Sequence, residues 1–280
     1  GTSGELWALL GLMVGTLGLR LLYLGQSSLE HLEATYLFEA VKPNSVWGVM
    51  VSRQAAEQMH QPVFPLLLRG WTQLFGQSEE ALRTLPLVFS VLCIPVTWTL
   101  VRDQIDNAKP ALWSAAIVSF APLLVWYGRD CSPYALLALA SLLAFCAAIR
   151  ALNSDEKRPA VMAALALSLA FYTHFHGGWI AITTGLFLLI YQRVAFWRTT
   201  AVTALLCLPW VGVMLTKLFT SVAGLHEDQL IMTYSHEWTE AAGEAGRMLL
   251  GTPPALLTVG LVLLVAALIV LWSRHRQLAV

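Results

Sequence analysis

Charged residues are scarce in this sequence, and their scarcity argues against an ordinary soluble protein. Only 12% of the 280 residues are Asp, Glu, Lys or Arg, whereas 57% are hydrophobic. An ordinary soluble domain carries about 25% charged residues. Acidic and basic residues balance at 17 each, so the chain lacks the basic surface that a nucleic-acid partner requires. The composition is that of a polytopic membrane protein.

Cysteine is also rare, and its spacing argues against two kinds of site. The four cysteines lie far apart, at Cys93, Cys131, Cys146 and Cys207. They form neither a CxxC pair nor a disulfide framework, and we expect them to be small core residues. His174 and His176 form a His-x-His segment without an identifiable third ligand. We therefore predict no metal site and no cofactor, since nothing in the sequence supports a divalent cation.

Long apolar runs are frequent enough to predict the fold class. A helix that crosses about 30 Å of hydrocarbon needs about 20 apolar residues. About eight runs approach this length, at residues 6–24, 81–101, 111–126, 134–150, 161–175, 179–191, 199–215 and 255–272. The sequence predicts an all-α polytopic membrane protein in which residues 1–280 form a single transmembrane domain.

The distribution of basic residues predicts the orientation. Residues 62–75 are apolar but short, and we interpret them as an interfacial or re-entrant helix rather than a crossing. The inner loops then collect Arg102, Lys109, Arg150, Lys157, Arg158, Arg193, Arg198, Arg274 and Arg276, as the positive-inside rule requires. Residues 25–80 become the first outer loop and residues 217–247 the last. We expect a bacterial inner (plasma) membrane or an internal membrane, with both termini cytoplasmic.

The polar stretch at residues 29–36 is the most informative part of the first outer loop. On a helix one apolar face contains Leu29, Leu32, Tyr36, Leu37 and Ala40. Glu30 and Glu39 should point to solvent, but Glu33 falls inside the apolar stripe. A carboxylate there contacts lipid headgroups or enters a protein pocket, which makes Glu33 the first candidate functional residue.

Other outer segments carry polar side chains, and for some of them two interpretations stay open. Ser78 precedes two acids and is expected to be a helix N-cap. Arg83 lies one turn into an apolar helix, where it either snorkels to the interface or is paired. Arg129 and Asp130 precede a helix and suit either an anionic ligand or a local ion pair. His174 is expected to be a hydrogen-bonded interfacial histidine.

Taken in order, these segments resemble the GT-C glycosyltransferases of family 39 type, which include protein mannosyltransferases and lipid-A aminoarabinose transferases. The first-loop Asp-Glu-Ala-x-Tyr of that family corresponds to Leu-Glu-Ala-Thr-Tyr at residues 32–36. The other matching segments are 60–62 (His-Gln-Pro), 75–83 (Phe-Gly-Gln-Ser-Glu-Glu-Ala-Leu-Arg), 127–134, 172–177 and 208–210 (Leu-Pro-Trp). No single segment is specific to the family, but the order of the segments along the chain is the same as in the family, and that order is specific.

The resemblance implies a function and a set of site residues. The donor would be a polyprenyl-phosphate-linked sugar bound from the membrane, and transfer would occur to an acceptor on the outer face. Glu33 would be the catalytic general base. The donor phosphate would be contacted by His60, Arg83, Arg129 and His174, with support from Tyr36, Asp130 and Tyr134. Membrane lipid is an expected partner.

Two departures from the family pattern leave a second hypothesis open. Leu32 stands where the family has its catalytic Asp, and Ser132 stands where it has an Arg. The chain is therefore expected to be a degenerate and shortened member, either still a glycosyltransferase or an inactive accessory subunit of a larger membrane complex. A transporter would show ionisable residues at mid-membrane or inverted repeats, and neither is evident.

Overall fold

The computed structural model describes residues 2–22, 24–51, 61–105, 107–154 and 156–224. The chain divides into two units, Gly1–Phe219 and Thr220–Val280, and the site described below lies in the first. Within the described ranges the chain forms helices and no strand. The helices are α1 (Thr2–Leu21), α2 (His31–Val41), α3 (Val46–Val51), α4 (Val63–Phe75), α5 (Glu79–Gln104), α6 (Ala108–Ser119), α7 (Pro122–Tyr127), α8 (Tyr134–Leu152), α9 (Lys157–Thr173), α10 (Gly177–Tyr191) and α11 (Arg193–Gly224).

Four of the described helices are long and apolar enough to cross a membrane, namely α1, α5, α8 and α11. This confirms an all-helical membrane protein. The predicted count of about eight crossings stays a prediction, because the run at 255–272 lies outside the described residues. Two further predicted crossings correspond to shorter helices, since α9 has 17 residues and α10 has 15.

The predicted crossing at residues 111–126 is not one continuous helix. Helix α6 ends at Ser119, and α7 begins at Pro122, a residue that favours the first turn of a helix. The carbonyl of Ser119 accepts a hydrogen bond from Arg20 Nη2 at 2.9 Å. The hydroxyl of Ser90 donates to the carbonyl of Leu124 at 2.7 Å. A hydropathy window does not register this proline break, so the sequence pattern did not predict it. The crossing of the membrane by residues 111–126 stays a prediction.

Helix α5 lies at the centre of the described bundle and packs against α1, α4, α6, α7 and α8. Its N-cap is Ser78, whose hydroxyl accepts from the Ala81 amide as predicted. Helices α8 and α9 form an extensive contact built from alanines, among them the fully buried Ala140, Ala144, Ala148, Ala163, Ala164 and Ala170. Small side chains allow close backbone approach, which is how helices associate in a membrane.

The described parts of the predicted first outer loop, residues 25–80, pack against the start of α5. Phe64 and Leu68 of α4 are buried in a cluster with Tyr36 of α2 and Leu82 of α5. Arg69 Nη1 donates to two carbonyls where α2 ends, those of Ala40 and Pro43, at 2.8 and 2.7 Å. Helix α4 has 13 residues and is not among the helices long enough to cross. Its interfacial location stays a prediction.

Candidate active site at the first outer loop

Helix α2 turns Glu33 inward, as the helical wheel predicts. Glu33 is 1% exposed, whereas Leu32, which the resemblance aligns with an Asp of the family, is 36% exposed. Glu39 is also buried, so the prediction that it points to solvent is wrong. The reason is that α4 packs along α2. A helical wheel identifies one apolar face, and it does not show that a second helix covers another face.

Both oxygens of the Glu33 carboxylate are fully engaged. Oε1 accepts from Arg83 Nε at 2.9 Å and from the backbone amide of Cys131 at 2.8 Å. Oε2 accepts from Arg83 Nη2 at 2.7 Å and from the amide of Glu30 at 3.0 Å. Two of these bonds form the parallel fork of an arginine–carboxylate pair, which is the strongest arrangement of such groups.

Arg83 is engaged to the same extent. Its remaining donors bind three carbonyls between α1 and α2, with Nη1 to Leu24 at 2.8 Å, Nη1 to Ser27 at 2.9 Å and Nη2 to Ser28 at 3.2 Å. A guanidinium has five N–H groups, and each has an acceptor here. Of the two alternatives for Arg83, the structure shows pairing. The three carbonyl partners could not be predicted from the sequence, because backbone acceptors leave no side-chain pattern.

The ion pair sets the charge of Glu33. Burial acts to raise its pKa, but the hydrogen bonds from Arg83, Cys131 and Glu30 outweigh burial and hold the pKa below its usual value. Glu33 is therefore ionised at neutral pH with its acceptor sites occupied. Its role as general base stays a prediction, since a base must offer a lone pair to the acceptor hydroxyl. The hydrogen bonds favour a role in positioning α2 against α5.

The turn between α7 and α8 lies next to the Glu33–Arg83 pair, because its Cys131 amide donates to Glu33. Gly128 is required there, because a Cβ atom would lie 2.5 Å from Ser90 Oγ and 2.7 Å from the Leu124 carbonyl. Arg129 Nη2 donates to the carbonyl of Leu22 at 3.2 Å. The side chain of Asp130 is half-buried. Burial raises the pKa of Asp130 to about 6.

A row of aromatic rings continues from this turn to the start of α10. Ring centroids are 4.6 Å apart for Tyr127 and Tyr134, 5.2 Å for Tyr134 and His174, and 4.6 Å for His174 and His176. The Nδ1 atoms of the two histidines are 2.8 Å apart, so at most one of these atoms carries a proton. Burial lowers the pKa of His176. In the described part of the chain, no three His, Cys, Asp or Glu residues cluster as metal ligands would.

Two further motif segments meet through residues that the sequence reasoning did not assign. Trp210 Nε1 donates to Gln61 Oε1, and both side chains are buried. The ring of Tyr172 lies 5.9 Å from that of Trp210. Gln61 and Trp210 belong to the segments 60–62 and 208–210, so the family pattern was the available signal. The predicted site residue His60 lies outside the described residues.

The structure thus places most of the predicted site residues that it describes in two groups. Glu33 and Arg83 form one group together with the turn that carries Arg129 and Asp130. Tyr134 and His174 form the second, at the other end of the same turn. Tyr36 is buried with its ring edge against Phe64, so it belongs to the packing of the first outer loop.

The fold and the site together define a polytopic helical membrane protein in which motif segments from distant parts of the chain meet at the helix ends. The sequence pattern of the dolichyl-phosphate-mannose-protein mannosyltransferase family, a family of GT-C type, matches residues 59–230. The match covers more than half of the chain, and the chain belongs to this family. The matched region begins beyond α2, so Leu32 and Glu33 lie outside it. No curated protein and no solved structure matches the chain.

Proposed function

We propose that the protein transfers a sugar from a polyprenyl-phosphate donor to an acceptor hydroxyl on the outer face of the membrane. The acceptor oxygen attacks the anomeric carbon while the bond from that carbon to the phosphate oxygen breaks. The polyprenyl phosphate leaves with the bonding electron pair, the acceptor proton passes to a protein base, and the anomeric configuration inverts. The protein supplies orientation, a base and cations near the leaving phosphate.

The observation that carries this proposal is the convergence of the motif segments. The Glu33 carboxylate joins segment 32–36 to Arg83 and to the 127–134 turn. The ring of Tyr134 then contacts His174 of segment 172–177. The hydrogen bond between Cys131 and Glu33 joins residues 98 positions apart in sequence, which is the arrangement expected of an assembled site.

Arg129 is the cation best placed for the donor phosphate in this proposal. All five donors of Arg83 are directed to protein acceptors. Arg129 is half-exposed and lies on the turn that precedes α8. A guanidinium can bind two phosphate oxygens in parallel, and its charge would stabilise the departing phosphate.

The test uses purified protein in proteoliposomes with dolichyl-phosphate-mannose as the donor probe. With water serving as the acceptor hydroxyl, we expect release of dolichyl phosphate and free mannose at a rate well above that of protein-free vesicles. Arg129→Gln should lower that rate by about 10²–10³-fold, as loss of one electrostatic contact to a developing charge does. Arg198→Gln, near the opposite end of the helices, is the matched control and should retain full turnover. Absence of release by the wild-type protein with this donor and with undecaprenyl-phosphate sugars would contradict the proposal.

A second candidate function rests on Leu32. The family's catalytic acid is replaced by an exposed leucine there, which favours an inactive subunit of a larger membrane complex. Extraction in a gentle detergent should then yield partner proteins at fixed stoichiometry, together with no turnover in the assay above. A monodisperse, active monomer would contradict this second function.

A further inference from the structure

We propose that the first outer loop binds the surface of the lipid bilayer through exposed apolar side chains of α2, α3 and α4. The partner is the leaflet next to the loop, at the level where acyl chains meet headgroups. The sequence predicts an interfacial location for α4 alone. Here the surface also includes α2 and α3, and a particular side of each helix meets lipid. This interaction is independent of the proposed glycosyl transfer.

Helix α4 has three different sides. One side is buried in protein and carries residues four apart in sequence, namely Phe64, Leu68 and Thr72. A second side is exposed and carries no polar side chain, only Leu67, Gly70 and Leu74. With 3.6 residues per turn, the polar side chains of Arg69 and Gln73 fall on a third side. Leu74 is 78% exposed, so the second side would leave an apolar stripe uncovered in water.

Helix α2 repeats this arrangement. One side is buried against protein and includes Glu33, Tyr36 and Ala40. A separate stripe is exposed and apolar, and it consists of Ala34, Phe38 and Val41. The Nζ atom of Lys42 lies 4.2 Å from the centroid of the Phe38 ring. A lysine whose stem crosses an apolar surface can hold its ammonium group among lipid headgroups.

The short helix α3 contributes two large exposed side chains. Val46 is 60% exposed and Trp47 is 63% exposed, whereas Val49 is buried. Tryptophan is enriched at the boundary between membrane and water, because its indole ring is amphipathic. The exposed side chains of α3 therefore have the same character as the stripes on α2 and α4.

All three helices are held at one end of the bundle. Helices α1 and α5 are long enough to cross the membrane, and Arg83 near the start of α5 donates to the carbonyl of Leu24 just after α1. The end of α1 and the start of α5 therefore lie at the same membrane face. Tyr36 of α2 and Phe64 of α4 pack in one buried cluster with Leu82 of α5, and α3 contacts α4. The exposed stripes thus lie where the bilayer surface surrounds the bundle.

Lipid fits this surface better than water does. The helices have 11, 6 and 13 residues, whereas a crossing needs about 20. Exposed apolar side chains that cluster on a protein surface usually mark binding to a membrane or to another protein. A helix in the interface buries its apolar side about 5–10 Å deep and keeps its polar side in water. The apolar and polar sides of α4 match this arrangement, and the membrane-crossing α1 and α5 place lipid beside all three helices.

The experiment measures the surroundings of single side chains in proteoliposomes. Cysteines introduced as Phe38→Cys and Leu74→Cys are labelled with an environment-sensitive fluorophore, since the native cysteines are buried. Gln73→Cys is the matched control, because Gln73 is exposed and adjacent to Leu74 but lies on the polar side of α4. We expect phospholipid brominated in the upper acyl chain to quench the labels at 38 and 74 several-fold more than the label at 73. Iodide in the water should quench them in the reverse order.

A second measurement uses the protein without substitutions. A phospholipid that carries a photoreactive group in the upper acyl chain should crosslink to the peptides that contain Phe38 and Leu74. The melting temperatures of the three labelled variants should stay close to that of the wild type, because each substituted side chain is exposed.

The possible outcomes are distinct. Iodide quenching at 38 and 74 as strong as at 73 would show that the surface faces water, and it would overturn the proposal. Weak quenching by both agents would show that a partner subunit or another part of the chain covers the surface, and it would overturn the proposal as well. If the variants melt well below the wild type, the crosslinking decides, and absence of lipid on both peptides is then the contrary result. Sugar transfer is not measured, so failure of the proposed function would leave these outcomes unchanged.

Discussion

The central residue-level feature is the buried Glu33–Arg83 pair, in which every hydrogen-bonding group of both side chains has a partner. Desolvating two charges is costly, and such pairs are stable only when the geometry is good and all groups are bonded. Here the pair joins the α1–α2 connection, α2, α5 and the turn before α8. Its main effect is to fix the relative positions of these segments.

Removal of one charge from this pair should destabilise the protein strongly. Glu33→Gln leaves the buried Arg83 uncompensated, and we expect the free energy of unfolding to fall by about 3–5 kcal/mol. The measurement is thermal unfolding in a mild detergent. Asp103→Asn is the control, since its pair with Arg150 is largely exposed and should contribute at most about 1 kcal/mol. Equal losses of unfolding free energy in the two variants would show that the buried Glu33–Arg83 pair stabilises the protein no more than the exposed Asp103–Arg150 pair.

The contribution of Glu33 should also depend on pH. Because its pKa is held below the usual value of 4.5, its stabilising effect is present above that value. It is lost as the pH falls through the lower pKa of the folded state. The difference in melting temperature between wild type and Glu33→Gln should therefore be constant near neutral pH and shrink in acid.

At the scale of elements, the connection between α9 and α10 depends on one glycine. A Cβ atom on Gly177 would lie 2.3 Å from the Ala170 carbonyl carbon and 2.4 Å from its oxygen, whereas a Cβ on Gly178 would meet nothing within 4 Å. The clash is with backbone, which cannot move aside as a flexible side chain can. The start of α10 is therefore in direct contact with the last turns of α9.

The two adjacent glycines provide a matched pair for testing this contact. Gly177→Ala should lower the free energy of unfolding by about 1–3 kcal/mol or more, the range for overpacking a close contact. It should also disturb His174 and His176, which flank the connection. Gly178→Ala should be close to neutral. Melting temperatures in detergent measure both effects, and a larger loss in Gly178→Ala would contradict the packing described here.

The elements show where sequence reasoning succeeds and where it stops. The Ser78 cap and the inward direction of Glu33 follow from local patterns, namely a serine before two acids and a period of 3.6 residues. The break at Pro122 and the burial of Glu39 depend on which helices pack alongside, and no local pattern contains that information. The pairing of Glu33 with Arg83 is of the second kind, since it joins residues 50 positions apart.

At the scale of the whole molecule, the orientation in the membrane is directly testable. The four native cysteines are buried, so a membrane-impermeant thiol reagent should label only introduced cysteines. Gln77 and Asn107 are exposed and lie at opposite ends of α5. In sealed right-side-out vesicles, Gln77→Cys should react and Asn107→Cys should not until the vesicles are opened. Reaction of both from one side would refute the predicted orientation.

The bonds of Glu33 also determine the order in which the protein can be assembled. During synthesis Glu33 emerges 50 residues before Arg83 and 98 residues before Cys131. Until Arg83 has arrived, its carboxylate has only the nearby Glu30 amide as a protein partner, so it must remain in water because burying an unpaired charge is too costly. The bond from the Cys131 amide forms later still. The segment that carries Glu33 therefore docks later than its place in the sequence suggests, and its contacts are complete only after α5 and the turn before α8 have been inserted. Truncated chains that end before residue 131 should leave this loop open to proteases, whereas longer chains should protect it.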